Sequence, residues 1–562
     1  MKIIKKLGIA LMFSALPMLA GCDIFGLLKT QREEASIDVN KKGEVYYVQY
    51  NISSTSLANP TIPRDKYGTV ISASARNAVE EDIKNAEKMT TDPNGLMLFN
   101  DTSAIRQLEN DCIKELNKIE SRAASNRKSV SLVTDNFAVG NTRDFWIWVR
   151  TSQGDVMQKR TAECKYKGKY CYVWFIDNNK ATYKKTYNNT EDFKNLADKF
   201  DTLYPLEVAV VGSNNDYREC ASYYRAPHDK VHILLHDIFE DASNDQTVGV
   251  MGYATSIDLY TEDALRQSNS NNHSNELDVL YVDSHFYSFD GTETSWNPKG
   301  WESRGQIYST LPHEYNHFIN YVQKFVVNDL SDMQTWYTEM LSTVVEDLLM
   351  ETLDIDWTLS ARGRLNVFDY YYNYGFELWE PSDGNVLFNY ANTFAYGAFL
   401  ARNFGGEALI HEIATNNKLN AESINAALAK MKLEGKISTT ETYKSTLKKF
   451  VNVLINTDEQ SATSSVLTLN KPAATYTSGI SIKPINLVFK NTDGSIAFQP
   501  QFVNYSKYDG YSGYITNYGY NNSKLYPGAF VVDYVGKNVS SFTIYKPNQV
   551  YEKYIDSEVI IK

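Results

Sequence analysis

The residues of this chain best suited to do chemistry are His313, Glu314 and His317, in the run His313-Glu314-Tyr315-Asn316-His317. Positions four apart on a helix lie one turn apart on one face, so the two imidazoles can close on a single divalent ion, for which Zn²⁺ is the expected choice. Glu314 falls about 100° round the helix from His313, so it flanks the ion and is placed to take a proton from an attacking water. A catalytic zinc keeps three protein ligands and one open position. The acids downstream that compete for the third place are Asp329, Asp332, Glu339 and Glu346. Glu346 is also a candidate to orient a zinc-bound imidazole from behind.

Two helical patterns must position these groups. Tyr315, Phe318, Ile319, Val322, Phe325 and Val326 form an apolar stripe, with His313 and His317 on the opposite, polar face. Pro312 is tolerated in a first turn, which predicts a helix start near Ser309 or Thr310. After a loop over 328–334, with Ser331 or Asp332 as cap, a second stripe runs Tyr337, Met340, Leu341, Val344, Val345, Leu348, Leu349. Glu339 lies opposite that stripe with Ser342, Thr343 and Glu346. Each helix is thus expected to bury its greasy face and turn its candidate ligands into a cleft.

Upstream, 142–177 is strand-like, 193–204 helical, and two apolar runs follow at His232–Leu235 and Val279–Val282. His232 and His236 are four apart, but in a strand that separates them by about 13 Å, so they read as core or surface histidines. His228, His273 and His285 stand in loop-like contexts. The helical core runs from about 310 to 458. Beyond a linker at 459–477, alternating strands and Gly, Asn and Tyr turns over 476–562 read as a separate all-β domain. Further helical stretches are expected at 73–88 and 104–125, within a region at 43–130 of no assigned role.

At 562 residues with a net charge of −12, the chain has no clustered basic stripe, which argues against nucleic acid as a partner. Its 40 tyrosines fit β-rich packing and wet surfaces. Lys2, Lys5 and Lys6, then the apolar run from Leu7 to Met18, read as a signal peptide over 1–21. Leu19-Ala20-Gly21-Cys22 resembles a bacterial lipobox, which implies an acylated Cys22 held in a lipid bilayer of the cell envelope, facing away from the cytoplasm. Polar residues 22–42 then form a tether. Of the remaining cysteines, Cys164 and Cys171 flank a hairpin read as turning at Lys167-Gly168, which would face them across the strands at about 5.5 Å. The expected disulfides are therefore 164–171 and, by pairing of the rest, Cys112–Cys220.

The central chain resembles the hyicolysin family of secreted bacterial metallopeptidases, within the gluzincins. The residues that carry the resemblance are His232–Ile238, Met251-Gly252-Tyr253, Ser274–Asp283, Leu311–Asn320, Trp336–Ser342 and Ala395–Leu400, over roughly 130–415. It implies an α+β, thermolysin-like zincin domain (131–460), with a mixed sheet followed by a helical subdomain. It also implies a zinc endopeptidase acting on proteins or peptides, with His313, His317 and Glu339 as ligands and Glu314 as base. Met340 departs from the small residue often found after the ligand glutamate. Tyr396, on a helix beyond, is the candidate oxyanion donor, with Tyr390 and His411 as alternatives. The rival reading is a surface adhesin lipoprotein that keeps the fold and turns over little.

Overall fold

A computed structural model of the chain describes residues 34–53, 63–64, 105, 126–177, 190–242, 249–267, 271–288, 303–379 with short breaks, 386–456 and parts of 474–562. The signal peptide, Cys22, Cys112 and the helical stretches expected at 73–88 and (but for Ile105) 104–125 lie outside these residues.

Two strands come first, β1 (Glu34–Asp38) and β2 (Glu44–Asn51). Next are β3 (Thr142–Thr151), β4 (Gly154–Lys167) and β5 (Cys171–Phe175). Helix α1 (Thr190–Val211) leads to β6 (Val231–His236), the short β7 (Gly252–Tyr253) and β8 (Val279–Asp283). Strands β3 to β8 form one mixed sheet in the order β7-β8-β6-β5-β4-β3, with β6 parallel to both β5 and β8. Residues of β6 and β8 are buried throughout, which is why their sequences run apolar without alternation.

The helical half consists of α2 (Arg304–Tyr321), α3 (Thr335–Leu349), α4 (Val386–Asn403), α5 (Glu407–Thr415), α6 (Asn420–Leu433) and α7 (Tyr443–Asn456). Both predicted stripes are buried in full. The start of α2 differs from expectation. The helix begins at Arg304, after Ser303, so Pro312 sits inside it. Proline brings no N–H, so the Tyr308 carbonyl loses its helical donor just before His313. Packing of Ile307 and Leu311 in the core holds the early turns regardless. Beyond Tyr321 the helix widens into a π-turn at Val322–Val327, where the buried Lys324 ammonium donates to the carbonyls of Ile413 (2.8 Å), Asn416 (2.7 Å) and Lys418 (2.9 Å). That cation fixes the far end of α2 to the turn after α5.

Helix α4 lies closely on α3. A Cβ at Gly397 would come within 2.7 Å of Met340 Cγ and Val344 Cγ2, so glycine makes the approach possible. Met340, the unusual residue after Glu339, is therefore accommodated by α4 and buried there.

The chain closes with β9 (Val503–Asn504), β10 (Phe530–Lys537), β11 (Ser541–Tyr545) and β12 (Ile555–Ile561). Here the structure departs from a C-terminal unit built from 476–562 alone. The sheet order is β9-β10-β2-β12, so a strand from the N-terminal region lies between two C-terminal ones, antiparallel to both. Strand β1 likewise pairs with β11, which corrects the reading of 34–38 as tether. The tether reading rested on charge and overlooked the alternation of Ile37 and Val39, which pack with Val45, Tyr47 and Phe542. Phe530 of β10 meets Tyr372 (ring centroids 5.4 Å) and Phe450 of α7 (6.2 Å), so this sheet shares the core of the helices.

The cysteine pairing is also corrected. Gly168 N donates to Cys171 O at 2.9 Å, so the β4–β5 turn lies beyond Lys167-Gly168, and a bulge between Cys164 and Tyr166 shifts the register. Cys164 then faces Trp174, not Cys171. Cys164, Cys171 and Cys220 are buried free thiols.

Candidate metal centre

Helices α2 and α3 bring His313, His317 and Glu339 together. Glu339 Oε2 lies 3.0 Å from His313 Nε2 and 3.4 Å from His317 Nε2, and the two Nε2 atoms are 3.1 Å apart. All three side chains are buried. The expected cleft is thus covered at the ligands themselves.

The outer nitrogen of each ring has its own partner. His313 Nδ1 is 2.6 Å from Glu346 Oε1, and His317 Nδ1 is 2.8 Å from Thr338 Oγ1. A carboxylate accepts only, so Nδ1 of His313 carries the proton and its Nε2 presents a lone pair. A neutral His317 that donates to Thr338 does the same. Lone pairs then meet a carboxylate oxygen at 3.0–3.4 Å, which is repulsive until positive charge enters. A proton is one source. Burial pulls the His313 pKa down, but Glu339 and Glu346 outweigh it and raise it to about 9. Burial would raise Glu339, yet the imidazoles of His317 and His313 hold it well below the usual carboxylate range.

A divalent ion is the other source. Tetrahedral bonds of about 2.0–2.1 Å imply ligand–ligand edges of roughly 3.3 Å, and the three observed separations of 3.0, 3.1 and 3.4 Å bracket that value. The donor set therefore fits zinc. Glu314 is close as well, since ligand atoms of His313, Glu314 and His317 lie within 4.8 Å of one another. Glu339 is the nearer acid, because Glu314 Oε1 stands 3.9 Å from His313 Nε2. Glu314 Oε2 accepts from the backbone N–H of Ala254, just beyond β7, at 3.0 Å. Asn316 Nδ2 donates to Ser342 Oγ at 2.8 Å and bolts the two helices together at this level.

Other candidates fall elsewhere. The Tyr396 hydroxyl is 2.7 Å from Thr446 Oγ1 and its ring stacks on Phe376, so it serves the contact between α4 and α7, and the oxyanion role is not supported by its surroundings. His411 Nδ1 bonds the Val210 carbonyl at 2.9 Å. Tyr390 packs edge-on to Trp379 and lies under the guanidinium of Arg364. Glu346 meets His313 and is further held by Ser309 Oγ (3.1 Å) and Arg364 Nη1 (3.2 Å). Thr338, Arg364 and the Ala254 N–H were not foreseen. Thr338 could have been suspected from its place beside Glu339, whereas a backbone donor on a distant loop leaves no trace in residue type.

A second cluster joins Asp135, His228 and His232. Asp135 Oδ2 is 3.0 Å from His228 Nδ1 and 3.1 Å from His232 Nε2. His236, as expected of a strand, does not join His232; its Nδ1 lies 3.1 Å from the Asp237 carbonyl.

Residues 180–482 match the peptidase M30 family model. The chain belongs to the peptidase M30 family. The M30 match starts later and ends further on than the 130–415 expected from sequence, so it adds α6 and α7 and leaves out β3, β4 and β5. The neutral metalloprotease ShpI of Staphylococcus hyicus is 28% identical over 328 residues, which cover 56% of this chain. The chain spans 63% of the length of that relative.

Proposed function

We propose that this chain is a zinc-dependent endopeptidase of gluzincin type, held to a bilayer of the bacterial envelope through acylated Cys22 and acting on proteins outside the cytoplasm. The single observation that carries the reading is the meeting of His313 Nε2, His317 Nε2 and Glu339 Oε2 at tetrahedral spacing. These three side chains would hold the metal. Bound there, zinc supplies Lewis acidity toward a water and the scissile carbonyl.

The protein groups do the rest. Ala254 N–H fixes one oxygen of Glu314, so the other, on the side of His313, is aimed to accept the proton of the attacking water and return it to the leaving amine. Glu346 and Thr338 hold the two rings from behind with the lone pairs inward. Burial of all these groups removes competing water and strengthens each interaction.

The test compares full-length wild type with Glu314→Ala. Both are expected to carry one zinc per chain, and the variant to cleave casein about a thousandfold more slowly or worse. Equal cleavage by the two would overturn the assignment, and zinc with no cleavage by wild type would leave a binding protein.

A further inference from the structure

We infer that Arg364 is a positioning residue for the metal ligand His313, acting through Glu346; this rests on the zinc reading above. Arg364 ends a short 3₁₀ turn, Ala361–Arg364, that follows α3. It is buried, and Nη1 lies 3.2 Å from Glu346 Oε1, the same oxygen that faces His313 Nδ1 at 2.6 Å. The other side of the guanidinium is covered by the Tyr390 ring of α4, 5.5 Å away. Arg364 Nε is buried and makes no hydrogen bond.

That arrangement is costly as plain architecture. A buried guanidinium that leaves one N–H unsatisfied loses hydration it does not recover, and an apolar side chain would fill the space with less penalty. What the guanidinium provides is a fixed planar donor on one specific oxygen. A carboxylate on a long glutamate side chain can turn about its last torsion, which is broad. Ser309 holds Oε2 at 3.1 Å and Arg364 holds Oε1, so the plane of the carboxylate is set from both ends. The His313 ring then has one orientation in which Nδ1–H meets Oε1, and in it Nε2 points at Glu339 and His317. Three elements (α3, the 3₁₀ turn and α4) thus decide the direction of one lone pair on α2.

The experiment uses the full chain loaded with zinc, and follows zinc release into a chelator alongside the absorption spectrum of the Co²⁺-loaded form. Arg364→Ala is expected to speed zinc release about tenfold or more and to change the cobalt spectrum, whereas Arg364→Lys restores part of both. In a Glu346→Gln background, Arg364→Ala is expected to add less than about twofold, because its route to His313 is already cut. Unchanged release and spectrum in Arg364→Ala would overturn the inference, as would equal effects with and without Glu346. Failure of both Arg364→Ala and Arg364→Lys to fold would also overturn it, since the residue would then be needed by the core and not by the ligand. Wild type that binds no zinc sinks the zinc reading itself, an outcome distinct from all of these.

Discussion

Among the described residues, two clusters bring a pair of imidazoles onto one carboxylate at nearly equal distances, and their outer partners give them opposite chemistry. Between α2 and α3, Glu339 stands 3.0 and 3.4 Å from His313 and His317. Beside β5 and β6, Asp135 stands 3.0 and 3.1 Å from His228 and His232. In the first, Nδ1–H of His313 donates to Glu346, so Nε2 is the nitrogen that turns inward, toward a metal ion or a second proton. In the second, Trp174 Nε1 donates to His232 Nδ1 at 3.0 Å, and an indole N–H can only donate. The His232 proton therefore sits on Nε2 and points at Asp135. Burial pushes the His232 pKa down, which keeps the ring neutral. Burial would raise Asp135, but the hydrogen bonds from His228 and His232 hold it well below the usual carboxylate range. This cluster has its donors and acceptors matched, with no His232 lone pair left to offer a metal. Proximity of ligand-type residues is the same in both places; the atoms behind His313 and His232 are what set the proposed metal centre apart from the Asp135 cluster.

The contrast breaks most sharply at a ligand. His317→Ala removes one of three inward donors, and zinc affinity is expected to fall by roughly a thousandfold or more while the chain stays folded, because alanine is the residue that α2 tolerates best. Zinc content after dialysis against a chelator measures it. Retention of wild-type affinity would mean that the ion, if any, sits elsewhere.

His232→Ala tests the other side of the contrast. It is expected to leave zinc at one per chain and to cost about 3 kcal/mol of stability, because Trp174 and Asp135 lose a partner and a buried ring is replaced by a cavity. Metal analysis and denaturant unfolding on the same sample check both halves. A fall from two metal ions to one would show that the Asp135 cluster binds after all and that the indole does not decide.

Much of the region that matches the M30 model was legible because period and spacing act locally. Both apolar stripes, the sidedness of His313, His317 and Glu339, and the apolar runs at 232–235 and 279–282 that become buried strands follow from patterns shorter than a few turns. What failed was long-range. No local pattern says that Glu44–Asn51 lies between strands some 500 residues later, or that Tyr396 spends its hydroxyl on Thr446 of α7. The start of α2 was misplaced because Pro312 was given the position it favours in isolation, whereas packing of Ile307 and Leu311 extends the helix through it. The Cys164–Cys171 pairing failed through one bulge and a turn placed slightly too early, and a small slip in a strand moves every pair that follows. Glu346, a candidate from its spacing to orient a zinc-bound imidazole, lies 2.6 Å from His313 Nδ1, whereas its own support, Arg364, comes from a turn with no periodic signal.

Glu207 extends the comparison to a carboxylate with no imidazole at all. It lies on α1, fully buried, and neither of its oxygens has a hydrogen-bond partner. Burial pushes its pKa well above the usual value. The folded state therefore keeps a proton that the unfolded chain releases above about pH 4.3. By linkage, that difference is absent at lower pH, and stability is lost as pH rises from there toward the raised folded pKa. Glutamine has the shape of the protonated acid and never ionises. Glu207→Gln is thus expected to match wild type near pH 4 and to exceed it at pH 7, by roughly 1 kcal/mol or more, with zinc content unchanged. Unfolding curves across that range read the effect directly. Parallel curves for the two proteins would mean that Glu207 is as well satisfied as Asp135, and that burial without a partner is not what distinguishes it.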